Sequence, residues 1–189
     1  MKLDISKVEF SKKDIKNNIT IPHYLTSEIA YLIGIHIGDG SMNIYKNVDY
    51  LITYTGHLID EKEFHENTIA KLFKELFNKE TKITYDKRRK HSCLRTYFRS
   101  KAILTFFNKT IGLPLGTKEN CNIPKIIENS NIKIKKAFLK GLADTEFCLT
   151  FKKRYRQKHY YSAITFGTQS KSLQKSIIIL LKELDFNLC

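Results

Sequence analysis

The strongest constraint on this fold is an internal repeat of two apolar, glycine-bearing segments at residues 32–40 and 139–147. Each segment has the composition of a helix and ends near an acidic residue, Asp39 in the first and Glu146 in the second, 107 positions apart. An internal repeat implies two copies of one structural unit, related by an approximate twofold axis. If the two helices pack side by side, this axis carries both carboxylates to the same end. Paired carboxylates are able to hold divalent metal ions.

Glycines also occupy matching positions in the two segments. Gly34 and Gly141 are separated by the same 107 positions as the acidic pair. Because glycine has no side chain, it lets two helix backbones approach closely. The sequence therefore predicts that Gly34 and Gly141 lie in the interface between the two helices.

Hydrophobic periodicity predicts an α+β protein whose first unit spans residues 22–116. The expected order of elements in this unit is α-β-β-α-β-β-α. These elements are a helix through Ile37, a hairpin within 42–55, a helix from Asp60, a hairpin within 81–98 and a helix at 101–108.

The second unit begins in the same way and then stops. A helix is predicted at 134–145, strands at 148–156 and 159–168, and an amphipathic helix at 170–184. By comparison with the first unit, a second hairpin and a last helix are missing, so we expect the half at 134–189 to be truncated. Residues 1–21 are expected to form a basic, loosely docked N-terminal arm, and residues 117–133 a linker.

The charge of the chain points to a polyanionic partner. The formal net charge is +14, from 33 Lys and Arg against 19 Asp and Glu, which favours nucleic acid over other partners. The apolar runs are too short to span a bilayer, and no signal peptide opens the chain. The four cysteines include no CxxC pair, which disfavours zinc ribbons and redox motifs. We therefore expect an intracellular protein, cytoplasmic or organellar, that is not secreted and binds no membrane.

Basic residues concentrate on the predicted hairpins and alternate with tyrosines. A two-stranded ribbon fits the major groove of DNA, where Arg and Lys can pair with guanine, and lysines at hairpin tips can hold phosphates. The alternative is a solubilising surface, which like-charge repulsion within the clusters makes less favourable. The predicted DNA-contacting residues are Lys46, Lys87, Arg88, Arg89, Lys90, Arg95, Arg99, Lys152, Lys153, Arg154, Arg156 and Lys158.

The two repeated segments resemble the nine-residue signature of the LAGLIDADG homing endonucleases, also called the dodecapeptide or DOD type. The first copy matches at Gly34, Asp39 and Gly40, and the second at Gly141, Asp144 and Glu146. The sequence departs from the motif at Ile37 and at Phe147. The resemblance implies a pseudo-twofold pair of αββαββα half-domains with the two motif helices packed at their interface.

The resemblance also implies a metal site. In this family the last acid of each motif binds divalent metal over the scissile phosphates, which transfers to Asp39 and Glu146. Gly38 and Thr145, immediately before these acids, are included among the metal-site residues. Asp144 is expected to form a helix-end hydrogen bond instead of binding metal. Oxygen ligands suit Mg²⁺, or Mn²⁺, better than zinc.

Further catalytic residues follow from the same resemblance. Lys118 falls in the loop after the third helix, where the family often has a lysine near the scissile phosphate that could stabilise the charge of the transition state. Gln169 falls where the family often has a glutamine that organises water, and His57 holds the corresponding place in the first unit. A simple solvated lysine is the equal alternative for Lys118.

The function implied by the resemblance is site-specific, metal-dependent cleavage of both strands of a long, partly degenerate DNA target. The encoding element would be an intron, with an intein remnant or a free-standing gene as the alternatives. The alternative is a catalytically decayed relative that only binds nucleic acid, as an RNA maturase or a regulator. A monomer is expected, and a dimer through an exposed sheet edge is the alternative if the second half is short.

Overall fold

The computed structural model describes residues 1–86, 93–153 and 160–187. It confirms an α+β fold with antiparallel sheets. The helices are α1 (Lys12–Lys16), α2 (Ser27–Gly38), α3 (Ala70–Phe77), α4 (Lys101–Thr105), α5 (Lys125–Glu128), α6 (Ile132–Glu146) and α7 (Lys171–Glu183). The strands are β1 (Gly40–Tyr45), β2 (Asp49–His57), β3 (Lys82–Asp86), β4 (Cys93–Arg99), β5 (Phe147–Lys153) and β6 (Tyr160–Phe166). A π-helical stretch, Phe64–Ile69, leads into α3, and another, Phe106–Ile111, extends α4.

The long helix α2 lies at the centre of the molecule. Thr26 begins it by accepting a hydrogen bond from the backbone N–H of Ile29 through its side-chain oxygen (3.4 Å). Every residue from Leu32 to Gly38 is buried. A helix that is apolar on all sides has to be covered on all sides, and here α6 and the first sheet provide the cover.

The first half has a four-stranded sheet with the strand order β1-β2-β4-β3. In the register of the central strands, Ile52 lies opposite both Met42 and Phe98, and all three are buried. Phe73 of α3 packs on this inner face, with its ring centre 4.5 Å from that of Phe98 and 5.6 Å from that of Tyr54. The outer face of the sheet carries the alternate, polar side chains.

His36 is a polar residue that is buried in this core. The residue is 2% exposed, and its Nδ1 atom is 2.9 Å from the hydroxyl oxygen of Tyr54. Burial lowers the pKa of His36 to about 3, with a smaller contribution from the charge of Lys118. The imidazole is therefore neutral and serves packing within the helix, in agreement with its position on the buried face.

The second half contains, within the described residues, a two-stranded sheet of β5 and β6 followed by α7. Phe147 pairs with Phe166 and Leu149 with Ile164, which puts these four side chains on one face. Leu149 is 60% exposed and Ile164 is 71% exposed, whereas Met42 and Ile52 on the inner face of the first sheet are fully buried. The apolar face of the first sheet is therefore buried, whereas the apolar face of the β5–β6 sheet is exposed at Leu149 and Ile164 in the described part of the second half.

The N-terminal segment corrects the expectation of a loosely docked arm. Leu3, Ile19 and Ile21 are buried in the main hydrophobic core, and the backbone N–H of Leu3 donates to the carbonyl of His23 (2.8 Å). Ser11 and Asp14 form a capping box at the start of α1. The many lysines of this segment favour an exposed arm, but the apolar residues spaced between them are enough to anchor it to the core.

The segment predicted as a linker, residues 117–133, also contributes structure. It contains α5, and Cys121, Ile123 and Ile127 of this segment are buried. Within the described residues, no helix is long and apolar enough to cross a membrane.

Candidate active site

The site begins with the crossing of α2 and α6, where glycines bring the two backbones together. A Cβ atom added to Gly34 would lie 2.7 Å from the backbone nitrogen of Leu142, and one added to Gly141 would overlap the carbonyl of Tyr31. Neither contact leaves room for any side chain. The structure therefore places both predicted glycines in close contact between α2 and α6.

The contacts between the two helices are reciprocal. Gly34 faces Phe138 and Leu142, and Gly141 faces Tyr31 and Ile35, which are the same positions shifted by 107 residues. This is the contact pattern that a local twofold axis between two helices produces.

The same crossing brings the two predicted metal-binding acids to adjoining helix ends. Gly38, the last residue of α2, packs against Thr145, and a Cβ atom on it would lie 3.1 Å from Cγ of Glu146. Asp39 is the C-cap of α2 and Glu146 is the last residue of α6. The side-chain hydroxyl of Thr145 donates back into its own helix, to the carbonyls of Gly141 (3.2 Å) and Leu142 (3.1 Å).

Both carboxylates are destabilised as anions. The pKa of Asp39 is raised to about 7, first by burial and then by the negative charges of Glu61 and Glu146. Burial likewise raises the pKa of Glu146. Desolvation acts on both carboxylates and like charge acts on Asp39, and a bound cation would relieve both effects.

Lys118 lies between the acids and the end of α2. Its ammonium donates to the carbonyls of Ile37 (2.8 Å) and Gly38, where the helix leaves backbone oxygens unpaired. Burial lowers the pKa of Lys118, while the charges of Glu146 and Asp39 raise it. The structure thus brings this lysine into the predicted site, and the carbonyl oxygen of Gly38 is already bonded to it.

Glu61 belongs to the same electrostatic cluster and was not predicted. It follows β2, and its side chain accepts a hydrogen bond from the backbone N–H of His57. A Cβ atom on Gly56 would lie 2.8 Å from Oε2 of Glu61, so a larger residue at position 56 would displace this carboxylate. Among the charges acting on Asp39, that of Glu61 raises its pKa most. The only sequence signal was an acid shortly after a strand, which is too common to select it.

Two other predicted residues, Gln169 and His57, make no side-chain hydrogen bond to Asp39, Glu146 or Lys118 within the described residues. Gln169 is exposed and lies directly before Ser170, the N-cap of α7. His57 has its Nδ1 atom 2.8 Å from Oδ2 of Asp60, and 41% of its side chain is exposed. Their catalytic roles remain predictions.

Asp144 has a clear structural role. The hydroxyl of Tyr31 on α2 donates to Oδ2 of Asp144 on α6 (2.7 Å), and this carboxylate together with burial raises the pKa of Tyr31. The hydrogen bond was expected within a helix end, whereas it links the two helices.

The predicted DNA-contacting residues in the described part of the chain are exposed. Arg95 and Arg99 lie on the outer face of β4, and Nε of Arg99 donates to Oδ1 of Asp49 (2.6 Å). Lys46 lies in the β1–β2 turn with φ of 50°. Lys152 and Lys153 end β5. The remaining predicted residues, Lys87, Arg88, Arg89, Lys90, Arg154, Arg156 and Lys158, lie outside the described residues.

No model of a protein family matches this sequence, and no curated protein matches it. Solved structures are nevertheless similar in fold. A structure of I-DmoI in complex with DNA and Ca has a TM-score of 0.53 at 23% identity, covering 86% of this chain and 74% of that one. A structure of mesophilic variants of the homing endonuclease I-DmoI gives a TM-score of 0.53 at 22% identity and the same coverage. A variant of I-SmaMI gives a TM-score of 0.52 at 15% identity, covering 84% of this chain and 73% of that one. The chain therefore has the fold of these LAGLIDADG homing endonucleases.

Proposed function

We propose that this protein is a site-specific double-stranded DNA endonuclease of the homing type, which hydrolyses phosphodiester bonds with divalent metal held by Asp39 and Glu146. The observation that carries the proposal is the meeting of these two carboxylates at adjoining ends of α2 and α6, beside the half-buried Lys118. The likeness of fold to I-DmoI, whose structure contains DNA and Ca, supports it.

The residues at the site fit a hard divalent cation. The converging side chains offer carboxylate oxygens, which Mg²⁺ and Mn²⁺ prefer, and their raised pKa values show that the charge of Lys118 does not fully offset the effect of burial. Within residues 1–86, 93–153 and 160–187, no three His, Cys, Asp or Glu side chains form a metal-binding group. Phosphate oxygens of bound DNA would therefore complete the ligand set.

When bound, such a cation would act as a Lewis acid on the scissile phosphate and favour ionisation of the attacking water. Asp39 and Glu146 would position it and offset its charge. Lys118 would add a fixed positive charge beside the phosphate as negative charge builds up in the transition state, in a half-buried site where such interactions are stronger than in water. Glu61 would keep Asp39 basic.

The outer sheet face would hold the DNA. A continuous row of outward-facing residues crosses the first sheet in register, from Lys82 to Tyr97 to Thr53 to Ser41. Arg95 projects from the same face, opposite Thr55 and Thr84. A polar, basic and slightly twisted surface of this kind suits the major groove.

The test is a cleavage assay on a selected target. Duplexes bound by the protein would be enriched from a randomised pool without metal, and then incubated with Mg²⁺ and sequenced at cut ends. We expect both strands to be cut at one position. Asp39→Asn and Glu146→Gln should lower the cleavage rate by at least 10³-fold and change DNA affinity less than threefold, because these side chains hold metal and not DNA.

The matched control is Glu75→Gln, which removes an exposed carboxylate of α3 that, among the described residues, is paired only with Lys71 at 3.8 Å. It should cleave like the parent protein. Specific binding of the parent protein without any cleavage would contradict the endonuclease proposal and leave a nucleic-acid-binding protein. Equal loss of binding in both acid variants, with unchanged folding, would contradict the metal assignment.

A further inference from the structure

A second basic site lies away from the paired acids, between the N-terminal segment and the start of β3. It is a cavity of about 380 Å³, within the roughly 300–1,000 Å³ range of ligand-binding pockets. Its charged lining consists of five cations and one acid, namely Lys13, Lys74, Lys79, Lys82, Arg99 and Glu80.

The cations in this cavity are not balanced by the acids around them. The single acid of the lining, Glu80, accepts a hydrogen bond from Lys74 (2.6 Å), and Arg99 is held by Asp49. Within the described parts of the chain, Lys13, Lys79 and Lys82 have no carboxylate within ion-pair distance. Three uncompensated cations thus face one concave surface.

Lys79 is the unusual member of this group because it is only 8% exposed. Its ammonium lies 5.7 Å from the centre of the Phe98 ring, a cation–π contact. No oxygen of the described residues accepts a hydrogen bond from it. The Nζ atom is nevertheless not among the fully buried unpartnered atoms of the described residues, so the aliphatic stem of Lys79 is buried while its ammonium reaches solvent.

The nearby acid Asp14 does not serve as that partner. Its Oδ1 accepts from the hydroxyl of Ser100 (2.7 Å), and its Oδ2 accepts from Ser11 and from the backbone N–H of Ala102 (3.2 Å). Burial lowers the pKa of Lys79, the charge of Asp14 raises it, and the charge of Lys13 lowers it. An anion in the cavity would stabilise the charged lysine directly.

We propose that this cavity binds a phosphate group, with Lys79 at its base and Lys13 and Lys82 at its mouth. Phosphate fits because it is multiply charged and accepts several hydrogen bonds from different directions, as three separate ammonium groups require. The group would come either from the backbone of bound nucleic acid or from a free phosphorylated molecule.

The nucleic-acid source is reachable from the outer sheet face. Lys82 pairs with Tyr97 in register, and both residues lie on the outer face and line the cavity. A DNA strand that runs along this face past β4 would bring one of its backbone phosphates to Lys82. This source depends on the proposed function, whereas binding of a free phosphate does not.

The test uses inorganic phosphate and duplex DNA as separate probes of the full chain. Titration calorimetry at low ionic strength should show saturable binding of phosphate at one site. Lys79→Met, which removes the ammonium but keeps an unbranched apolar side chain, should weaken this binding at least tenfold, and Lys13→Gln, at an exposed position, at least threefold. The matched control is Lys71→Met, an exposed lysine of α3 outside the cavity, which should change nothing.

The DNA probe identifies the source of the phosphate. If Lys79→Met also weakens duplex binding and lowers its salt dependence by about one phosphate contact, the group belongs to the nucleic-acid backbone. If duplex binding is unchanged while phosphate binding is lost, the ligand is a free phosphorylated molecule. Absence of saturable phosphate binding together with unchanged duplex binding, or equal losses in Lys71→Met, would overturn the proposal. None of these measurements requires cleavage, so their failure would leave the endonuclease proposal standing.

Discussion

Asp39 lies where its carboxyl group ionises less readily than it would in water. Burial and the nearby charges of Glu61 and Glu146 raise its pKa to about 7, and only the charge of Lys118 opposes them. This arrangement favours cation binding over a purely structural role, because a structural carboxylate is normally stabilised by donors, as Asp14 is. In the metal-free protein, ionisation of Asp39 therefore lowers the free energy of unfolding.

The stability of the free protein should therefore depend on pH through Asp39. An acid whose pKa is higher in the folded than in the unfolded state destabilises the fold as pH rises from its unfolded value, near 4, to about 7. We expect Asp39→Asn to raise the free energy of unfolding at pH 8 by on the order of 2 kcal/mol, after allowance for partial solvation, and by little at pH 4. Urea unfolding at both pH values, without divalent metal, measures this difference. A gain that is equal at both pH values would show that Asp39 has an ordinary pKa.

At the scale of single elements, the crossing of α2 and α6 is the feature on which the site depends. Alanine in place of glycine normally strengthens a helix by about 1 kcal/mol. At Gly141 the added methyl would overlap the carbonyl of Tyr31, so the sign should reverse. We expect Gly141→Ala to lower the free energy of unfolding by about 2–3 kcal/mol through overpacking. Denaturant unfolding at neutral pH measures it.

The control for this prediction is Gly167→Ala. No atom lies within 4 Å of a Cβ atom built at Gly167, and its backbone carries no positive φ. Its stability should stay within about 0.5 kcal/mol of the parent protein. If Gly141→Ala were as stable as this control, the helices would have to be further apart than the structure places them.

The repeated motif was sufficient to predict the crossing, because a spacing of 107 residues relates both the acids and the glycines. Helix α2 also begins and ends close to its predicted bounds, since a threonine cap and a terminal glycine mark them. The π-helical stretches could not be predicted, because the same periodicity fits an α-helix. Glu61 and the docked N-terminal segment were missed for a common reason, namely that both depend on contacts between distant segments.

At the scale of the whole molecule, the two halves differ in how their sheets are covered. Met42 and Leu149 are related by the same spacing of 107 residues, but Met42 is 1% exposed and Leu149 is 60% exposed. We expect Met42→Lys to lower the free energy of unfolding by about 3–5 kcal/mol, since it buries a charge in the core. Leu149→Lys should change it by no more than about 0.5 kcal/mol. Parallel thermal and urea unfolding of the two variants decides this. Comparable destabilisation by both would mean that the face around Leu149 is covered in solution.

The charge of the whole molecule leads to a prediction about DNA binding. With a net charge of +14 and an exposed basic sheet face, the protein should release many counterions when it binds a duplex. If roughly 6–10 phosphates are contacted, affinity should fall by about 10³–10⁵-fold between 50 and 200 mM salt.

Arg95→Gln should reduce the slope of log affinity against log salt by about 1 if its guanidinium contacts a phosphate, and Lys71→Gln, outside that face, should not alter it. Fluorescence anisotropy with a labelled duplex at several salt concentrations measures the slope. A slope near zero would contradict the assignment of this sheet face to nucleic acid, because no surface of this charge can bind a polyanion without displacing its counterions.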